Sequence, residues 1–326
     1  MIDSDVIIVG GGPAGSACAR LLHDQGLQTM ILDKKTFPRH KTCAGWITPR
    51  VLHDLDIKES EYPYSMLTFR RLNFHVYGIK VPVKTRQYSI RRYEFDYWLI
   101  KRAGVSVRQH TVKDIQRVKD YYIIDDKFRC RYLVGAGGTN CPVYKRFFRS
   151  EYPRGKGQLI IAMEEEFEHD YNDTDCHLWF FENGLPGYSW YVPKGDGYVN
   201  VGIGGKLYSI RDRGESISTH WNYFVRKLEG LSLVKGHSCR PHTYSYYLGQ
   251  NIYSGQVGNV FIVGDAVGLA TFDMGEGIGP SIQSGILATR SIISGEGYSL
   301  KTVTKYSIPI YYSVRYVFFK DFTLET

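Results

Sequence analysis

Val9-Gly10-Gly11-Gly12-Pro13-Ala14-Gly15 decides how this chain is read. Gly10, Gly12 and Gly15 carry the G-x-G-x-x-G spacing, the run Asp5-Val6-Ile7-Ile8-Val9 before them reads as a strand, and Pro13 to His23 reads as a helix. That strand, turn and helix context is what the fingerprint of a dinucleotide site requires. Gly10 permits the tight turn, Gly12 lets backbone approach a pyrophosphate, and Gly15 allows helix and strand to pack closely. The helix N-terminus then presents N–H groups and a partial positive charge to the phosphates. A second strand, Gln28 to Leu32, ends in Asp33, placed to accept hydrogen bonds from adenosine ribose hydroxyls. An adenine dinucleotide with a free 2′-hydroxyl is expected.

At 326 residues, with 43% hydrophobic and 23% charged residues, the chain reads as about two globular domains. The longest C-terminal apolar stretch, Ile308-Pro309-Ile310-Tyr311-Tyr312, soon meets Arg315 and Lys320 and is too short to span a bilayer. No signal peptide is read ahead of the first strand, so a cytoplasmic protein is expected. Cys18, Cys43, Cys130, Cys141, Cys176 and Cys239 lack C-x-x-C spacing and suggest neither a zinc site nor an iron–sulfur cluster. The net charge of +8 is spread along the chain, which argues for solvated surface and against nucleic acid. Peripheral attraction to an anionic membrane surface is the second reading.

Leu72-Phe74-Val76 and Ile79-Val81-Val83 alternate as a hairpin about Gly78, and Phe95, Trp98, Leu99 and Ala103 share one helical face before Gly104. Short strands are expected between Val105 and Val134, and again between Gln158 and Gly205. Helices are expected over Arg213–Leu228 and Ser281–Ile293, the latter after a buried strand Asn259–Val263 that runs into Gly264-Asp265. The expected architecture is α/β: a Rossmann-like nucleotide-binding domain assembled from 1–66, 88–150 and 250–300, a β-rich substrate domain from 67–87 and 151–249, and a C-terminal segment 301–326.

Four further motifs give the chain a family resemblance. Phe37-Pro38-Arg39-His40-Lys41-Thr42-Cys43-Ala44-Gly45 resembles a P-R-x-K-x-C-G-G segment, and Arg92-Tyr93-Glu94-Phe95-Asp96 resembles R-x-x-F-D. Tyr188-Ser189-Trp190-Tyr191-Val192-Pro193 is similar to Y-x-W-x-F-P, while Gly264-Asp265-Ala266-Val267-Gly268 and Gly275-Glu276-Gly277-Ile278 are similar to a second flavin signature. Together they resemble the geranylgeranyl reductase family of FAD-dependent oxidoreductases, within the aromatic-hydroxylase flavoprotein fold.

The resemblance implies FAD held by Gly10, Gly12, Pro13, Ala14, Gly15, Asp33, Arg39, Lys41, Cys43, Ala44, Arg92, Gly264, Asp265, Gly277 and Ile278. Arg92 is implied to meet the FAD phosphates, Cys43 to lie near the isoalloxazine ring as a catalytic thiol, and the amides of Gly277 and Ile278 to favour the charge of reduced flavin. Tyr188, Trp190 and Pro193 are implied to form an apolar slot for a hydrophobic or lipid substrate. Tyr244, Tyr246 and Tyr247 read as core or pocket wall. Gly135-Ala136-Gly137-Gly138 stands where relatives have Gly-Ala-Asp-Gly, so the electron donor, NAD(P)H or a protein, stays open. The implied activity is hydride transfer between flavin and an isoprenoid-like double bond. A flavin-dependent monooxygenase or halogenase and a non-catalytic flavin- or lipid-binding protein are the competing expectations.

Overall fold

The computed structural model describes residues 1–249 and 254–308. Within the expected stretch 250–300, residues 250–253 lie outside the described residues, as do 309–326 of the C-terminal segment, including the apolar stretch after Ile308.

Strand β1 (Ile2–Val9) passes through the glycine turn into α1 (Pro13–Asp24) and returns as β2 (Thr29–Asp33). A short strand β3 (Trp46–Ile47), α2 (Pro49–Asp54), the hairpin β4 (Leu67–Val76) and β5 (Ile79–Ser89), and α3 (Arg92–Arg102) follow. Next come β6 (Ser106–Gln109), β7 (Ile115–Val118), β8 (Tyr121–Ile124), β9 (Phe128–Gly135) and α4 (Pro142–Phe147). The chain then forms β10 (Leu159–Glu168), β11 (Cys176–Phe180), β12 (Gly187–Pro193), β13 (Tyr198–Lys206), α5 (Leu207–Asp212), α6 (Ile217–Gly230) and β14 (His242–Tyr247). It comes back through β15 (Gln256–Val257) and β16 (Val260–Ile262) to α7 (Ile278–Ser294).

Two sheets result. The first has the order β15-β16-β9-β1-β2-β6, parallel from β16 to β6, with β7 and β8 continuing from β9. Its central strands are apolar on both faces, as parallel strands covered by helices must be: Val6, Ile7, Ile8, Ile31, Leu32, Leu133, Val134 and Phe261 are all buried. Helices α1 and α7 meet along that sheet, where the Thr289 hydroxyl donates to the Cys18 carbonyl at 3.3 Å. The protein is thus α/β, with a Rossmann-like sheet built from segments widely separated in sequence. Among the described residues, no helix is long and apolar enough to cross a membrane.

The second sheet has the order β14-β10-β13-β12-β11-β4-β5-β3, and the two-residue strand β3 joins it from within the N-terminal third of the chain. Period-two alternation sorts its residues between two surroundings. Met163, Tyr191, Val201 and Ile203 pack with Trp221, Phe224 and Leu228 of α6. Glu164, Trp190 and Gly202 fall on the other face, opposite one another across β10, β13 and β12. The helix expected over Arg213–Leu228 begins later, at Ile217, because Gly214 turns through φ 68° and Ser216 supplies the cap, its hydroxyl accepting from Thr219 N–H at 3.3 Å.

A Cβ on Gly202 would run into the Trp190 indole, which lies flat across that strand. Gly202→Ala should therefore cost about 1 to 3 kcal/mol through overpacking. Denaturant unfolding checks this, and wild-type stability would show that the indole moves aside freely.

Candidate functional site

The C-terminal ends of the first sheet face the second sheet across a cleft of about 840 Å³. At one end lies the glycine turn. Gly10 has φ 114°, and any side chain there would strike the Ala136 carbonyl, so only glycine makes the turn. Gly12 differs: a Cβ on it would meet only Arg39 Nη2, at 3.7 Å, and would fill the cleft instead of the core. Gly12 is also the N-cap of α1, whose first turn holds no acidic residue, so the positive helix end opens on the cleft beside Pro13 and Ala14. Asp33 ends β2 with only 8% of its surface exposed. Its Oδ2 accepts from Gly11 N–H at 2.8 Å and its Oδ1 from Lys35 N–H at 2.9 Å, which aims the carboxylate at the cleft.

Next to the turn, one buried carboxylate organises two guanidinium groups. Asp96, fully buried on α3, receives Arg92 Nε at 2.7 Å and Nη2 at 2.9 Å, and Arg39 Nη1 stands 3.5 Å from the same carboxylate. Burial opposes the charge on Arg92, but Asp96 beside it more than compensates and holds the guanidinium above its ordinary pKa. Two cations share one anion at the cleft wall, which leaves positive charge for a pyrophosphate. The sequence reading found Arg39 and Arg92 but gave Asp96 no role, although it completes the R-x-x-F-D motif.

Farther along, Asp265 faces the cleft and accepts from the Tyr244 hydroxyl at 3.0 Å. Lys41 Nζ sits 3.1 Å from the centre of the Tyr244 ring; burial brings its pKa down to about 8, with Asp265 pulling the other way. Tyr244 and Tyr246 are walls of the cleft, whereas Tyr247 is not among its lining residues. Gly277 and Ile278 line the cleft at the start of α7. The amide of Gly279 there donates to Glu276 Oε1 at 2.6 Å, and burial raises this half-buried acid to about 7.

Cys43 and Ala44 line the middle of the cleft. Cys43 is half-buried, its Sγ accepting from Gly45 N–H at 3.4 Å, and its own N–H donates to Glu164 Oε1 at 3.1 Å. The Glu164 Oε2 accepts from Asn200 Nδ2, and Asn200 Oδ1 accepts from the Trp190 indole N–H at 2.8 Å. Trp190 is 6% exposed and belongs both to the cleft wall and to a core cluster with Phe74, Phe180 and Val192. Tyr188 lines the cleft with its hydroxyl bound to the Met274 carbonyl.

Three expected site residues are not among the residues lining the cleft. Gly15 is a packing residue, since a Cβ there would strike the Gly10 carbonyl. Gly264 joins elements: its N–H donates to Ser284 Oγ at 2.9 Å and its Cα faces Ala14 and Ser281. Pro193 lies behind the wall, at the end of β12, with its carbonyl receiving the Ser89 hydroxyl at 2.6 Å. Alternation explains this last displacement, because Pro193 is out of phase with Tyr188 and Trp190 on the strand.

Residues 3–57 match the FAD binding domain family FAD_binding_3. An uncharacterized protein, Mbar_A1602 of Methanosarcina barkeri, is 32% identical over 309 residues, covering 89% of this chain and 74% of that protein. The digeranylgeranylglycerophospholipid reductase of Thermoplasma acidophilum is 26% identical, covering 93% of this chain and 82% of that one. A solved structure described as geranylgeranyl bacteriochlorophyll reductase-like, also from Thermoplasma acidophilum, superposes with a TM-score of 0.77 at 23% identity, over 92% of this chain and 81% of that chain. The cofactor is FAD, and the residues present fit it: an open glycine cradle at Gly12, the carboxylate of Asp33 held at the cleft by backbone N–H groups, and two cations sharing one anion beside them.

Asp96→Ala would leave Arg92 buried without its partner. The variant should lose about 3 to 5 kcal/mol of stability and bind FAD more weakly. Thermal unfolding with titration of the apoprotein checks both, and wild-type behaviour in both would remove Asp96 from the phosphate site.

Proposed function

The chain belongs to the geranylgeranyl reductase family of FAD-dependent oxidoreductases, and from that premise we propose that it saturates a carbon–carbon double bond of a hydrophobic, isoprenoid-like substrate. The observation that carries this reading is the chemistry of the wall opposite the glycine turn. Ala162, Tyr188, Trp190, Tyr246, Ala270 and Met274 present hydrocarbon and aromatic surface to the cleft, and a smaller apolar pocket adjoins them between Phe180, Leu248 and Phe272. A slot of that kind suits an extended hydrocarbon chain better than a polar metabolite.

When bound, reduced FAD supplies hydride. The residues of the chain supply position and surroundings: Trp190, fixed by its bond to Asn200, and Tyr188, fixed on Met274, form a rigid platform for an alkene. The same aromatic bodies exclude water from the reacting carbons. Cys43 lies in the middle of the cleft between this platform and the phosphate-binding cations, consistent with a place near the reactive ring. The relative from Thermoplasma acidophilum, named for reduction of a digeranylgeranyl lipid, supports the same substrate class.

Anaerobic mixing of light-reduced holoenzyme with a digeranylgeranylglycerophospholipid tests the reading. Flavin reoxidation should accompany the gain of two hydrogens per double bond, read by mass spectrometry of the lipid. Reoxidation only by oxygen, with hydroxylated or halogenated product, would establish a monooxygenase or halogenase instead. Absence of any product from a reducible flavin would favour a binding protein.

A further inference from the structure

Saturating an alkene needs a proton as well as a hydride, and the cleft holds one carboxyl built into its apolar wall. Glu164 lies on β10 at the centre of a row that crosses the second sheet, opposite His242 on β14 and Gly202 on β13, with Trp190 next on β12. Gly202 lacks the side chain that would separate Glu164 from the indole, and the Cβ of Glu164 packs at its Cα. Only 1% of the residue is exposed, yet it lines the cleft together with Cys43, Ala162 and Trp190.

The groups around it are arranged to hold a carboxyl without neutralising it. Cys43 N–H and Asn200 Nδ2 each donate to one oxygen, leaving a lone pair on each. Among the described residues, Glu164 makes no ion pair, whereas its strand neighbour Glu166 is bound to Arg91 at 2.9 Å. Lys194, a buried cation whose charge acts on Glu164, spends its ammonium group on the carbonyls of Ala44, Gly45 and Ile90. The ring of His242 lies tilted at 44° against that of His40, with centres 4.5 Å apart.

We propose that Glu164 is the proton donor of the reaction, delivering its proton to the alkene carbon that does not receive hydride. The inference rests on the alkene-reductase reading. The hydride electron pair from reduced FAD forms one C–H bond, and the alkene π pair takes the Glu164 O–H proton to form the other. FAD is left oxidised and Glu164 is left as a carboxylate, which recovers a proton from solvent. Burial supports this role: it raises the carboxyl to about 7 against the opposing bonds from Asn200 and Cys43, with Glu166 adding to the rise and Lys194 opposing it. The acid form is therefore populated at neutral pH and is lost as pH rises through that value.

The test uses holoenzyme and Glu164→Gln in two measurements. Infrared titration should show protonated-carboxyl C=O absorption lost near pH 7, and the difference between wild type and variant should contain one such band, that of Glu164, with the Glu276 contribution common to both. Anaerobic reoxidation of the reduced flavin by digeranylgeranylglycerophospholipid should slow as pH rises through the same value. In Glu164→Gln it should fall by about 10²- to 10⁴-fold, the usual contribution of a general acid, and lose that pH dependence. Glu164→Asp, which keeps an acid but withdraws it, should restore part of the rate and a pH-dependent profile, and it serves as the variant should Gln not fold. Identical titrating absorption in wild type and Glu164→Gln assigns that proton to another group such as Glu276 and overturns the proposal, as does wild-type turnover retained by the variant. A wild-type protein that leaves the alkene unsaturated overturns the functional reading and this inference together, whereas an active wild type with an equally active variant overturns the inference alone.

Discussion

The buried ammonium group of Lys194 is the constraint on which the site depends. It donates to the carbonyls of Ala44, Gly45 at 3.1 Å and Ile90 at 2.9 Å, and so binds the end of β12 to the segment that connects the two sheets. Burial lowers its pKa, and the acidic side chains of Glu166 and, when ionised, Glu164 oppose that loss. With three acceptors around it, the ammonium group is fully used, as a buried charge has to be. On the same segment, Cys43 is held from the other side by Glu164 and Asn200. The residues between the phosphate-binding turn and the apolar wall thus have one position, set by polar contacts that hydrophobic packing alone would not specify.

This clamp explains how the two halves of the cleft divide the chemistry. The first sheet contributes backbone, a helix end and paired cations, features suited to a diphosphate and indifferent to what is being reduced. From the second sheet come Tyr188, Trp190 and Ala162, together with one carboxyl, set on the cleft-facing side of strands whose opposite side is core. Substrate choice can then vary by side-chain exchange on β10, β12 and β14 without disturbing the nucleotide half. The distinction between wall and core dissolves at Trp190, which serves as both because its ring lies flat on Gly202 and its N–H is spent on Asn200.

What could be read from the sequence follows the range of the interactions. Gly10, Gly12 and Asp33 were legible because a short motif encodes the backbone conformation and the distance to the next strand end. The hairpin of β4 and β5 and the helix α3 were legible through periodicity. Asp96 sat inside a recognised motif, but its role appears only when Arg39, 57 positions away by number, folds onto the same carboxylate as Arg92. Glu164, Asn200 and Lys194 left no local signal, because their meaning lies in cross-strand register and in contacts spanning up to 157 residues. Pro193 was misplaced by the same blindness to strand phase, and the beginning of α6 was misplaced because a cap outweighed helical composition upstream of it.

The assignments of the glycine turn, Asp33 and the paired arginines all depend on one dinucleotide cofactor binding in the cleft. Heat release and mass spectrometry of the cofactor from purified protein, quantified against chain concentration, test it most directly. The expected result is non-covalent FAD at one molecule per chain. Release of FMN, or a protein that takes up no flavin on reconstitution, would contradict the assignment of the glycine turn, of Asp33 and of the paired arginines at once.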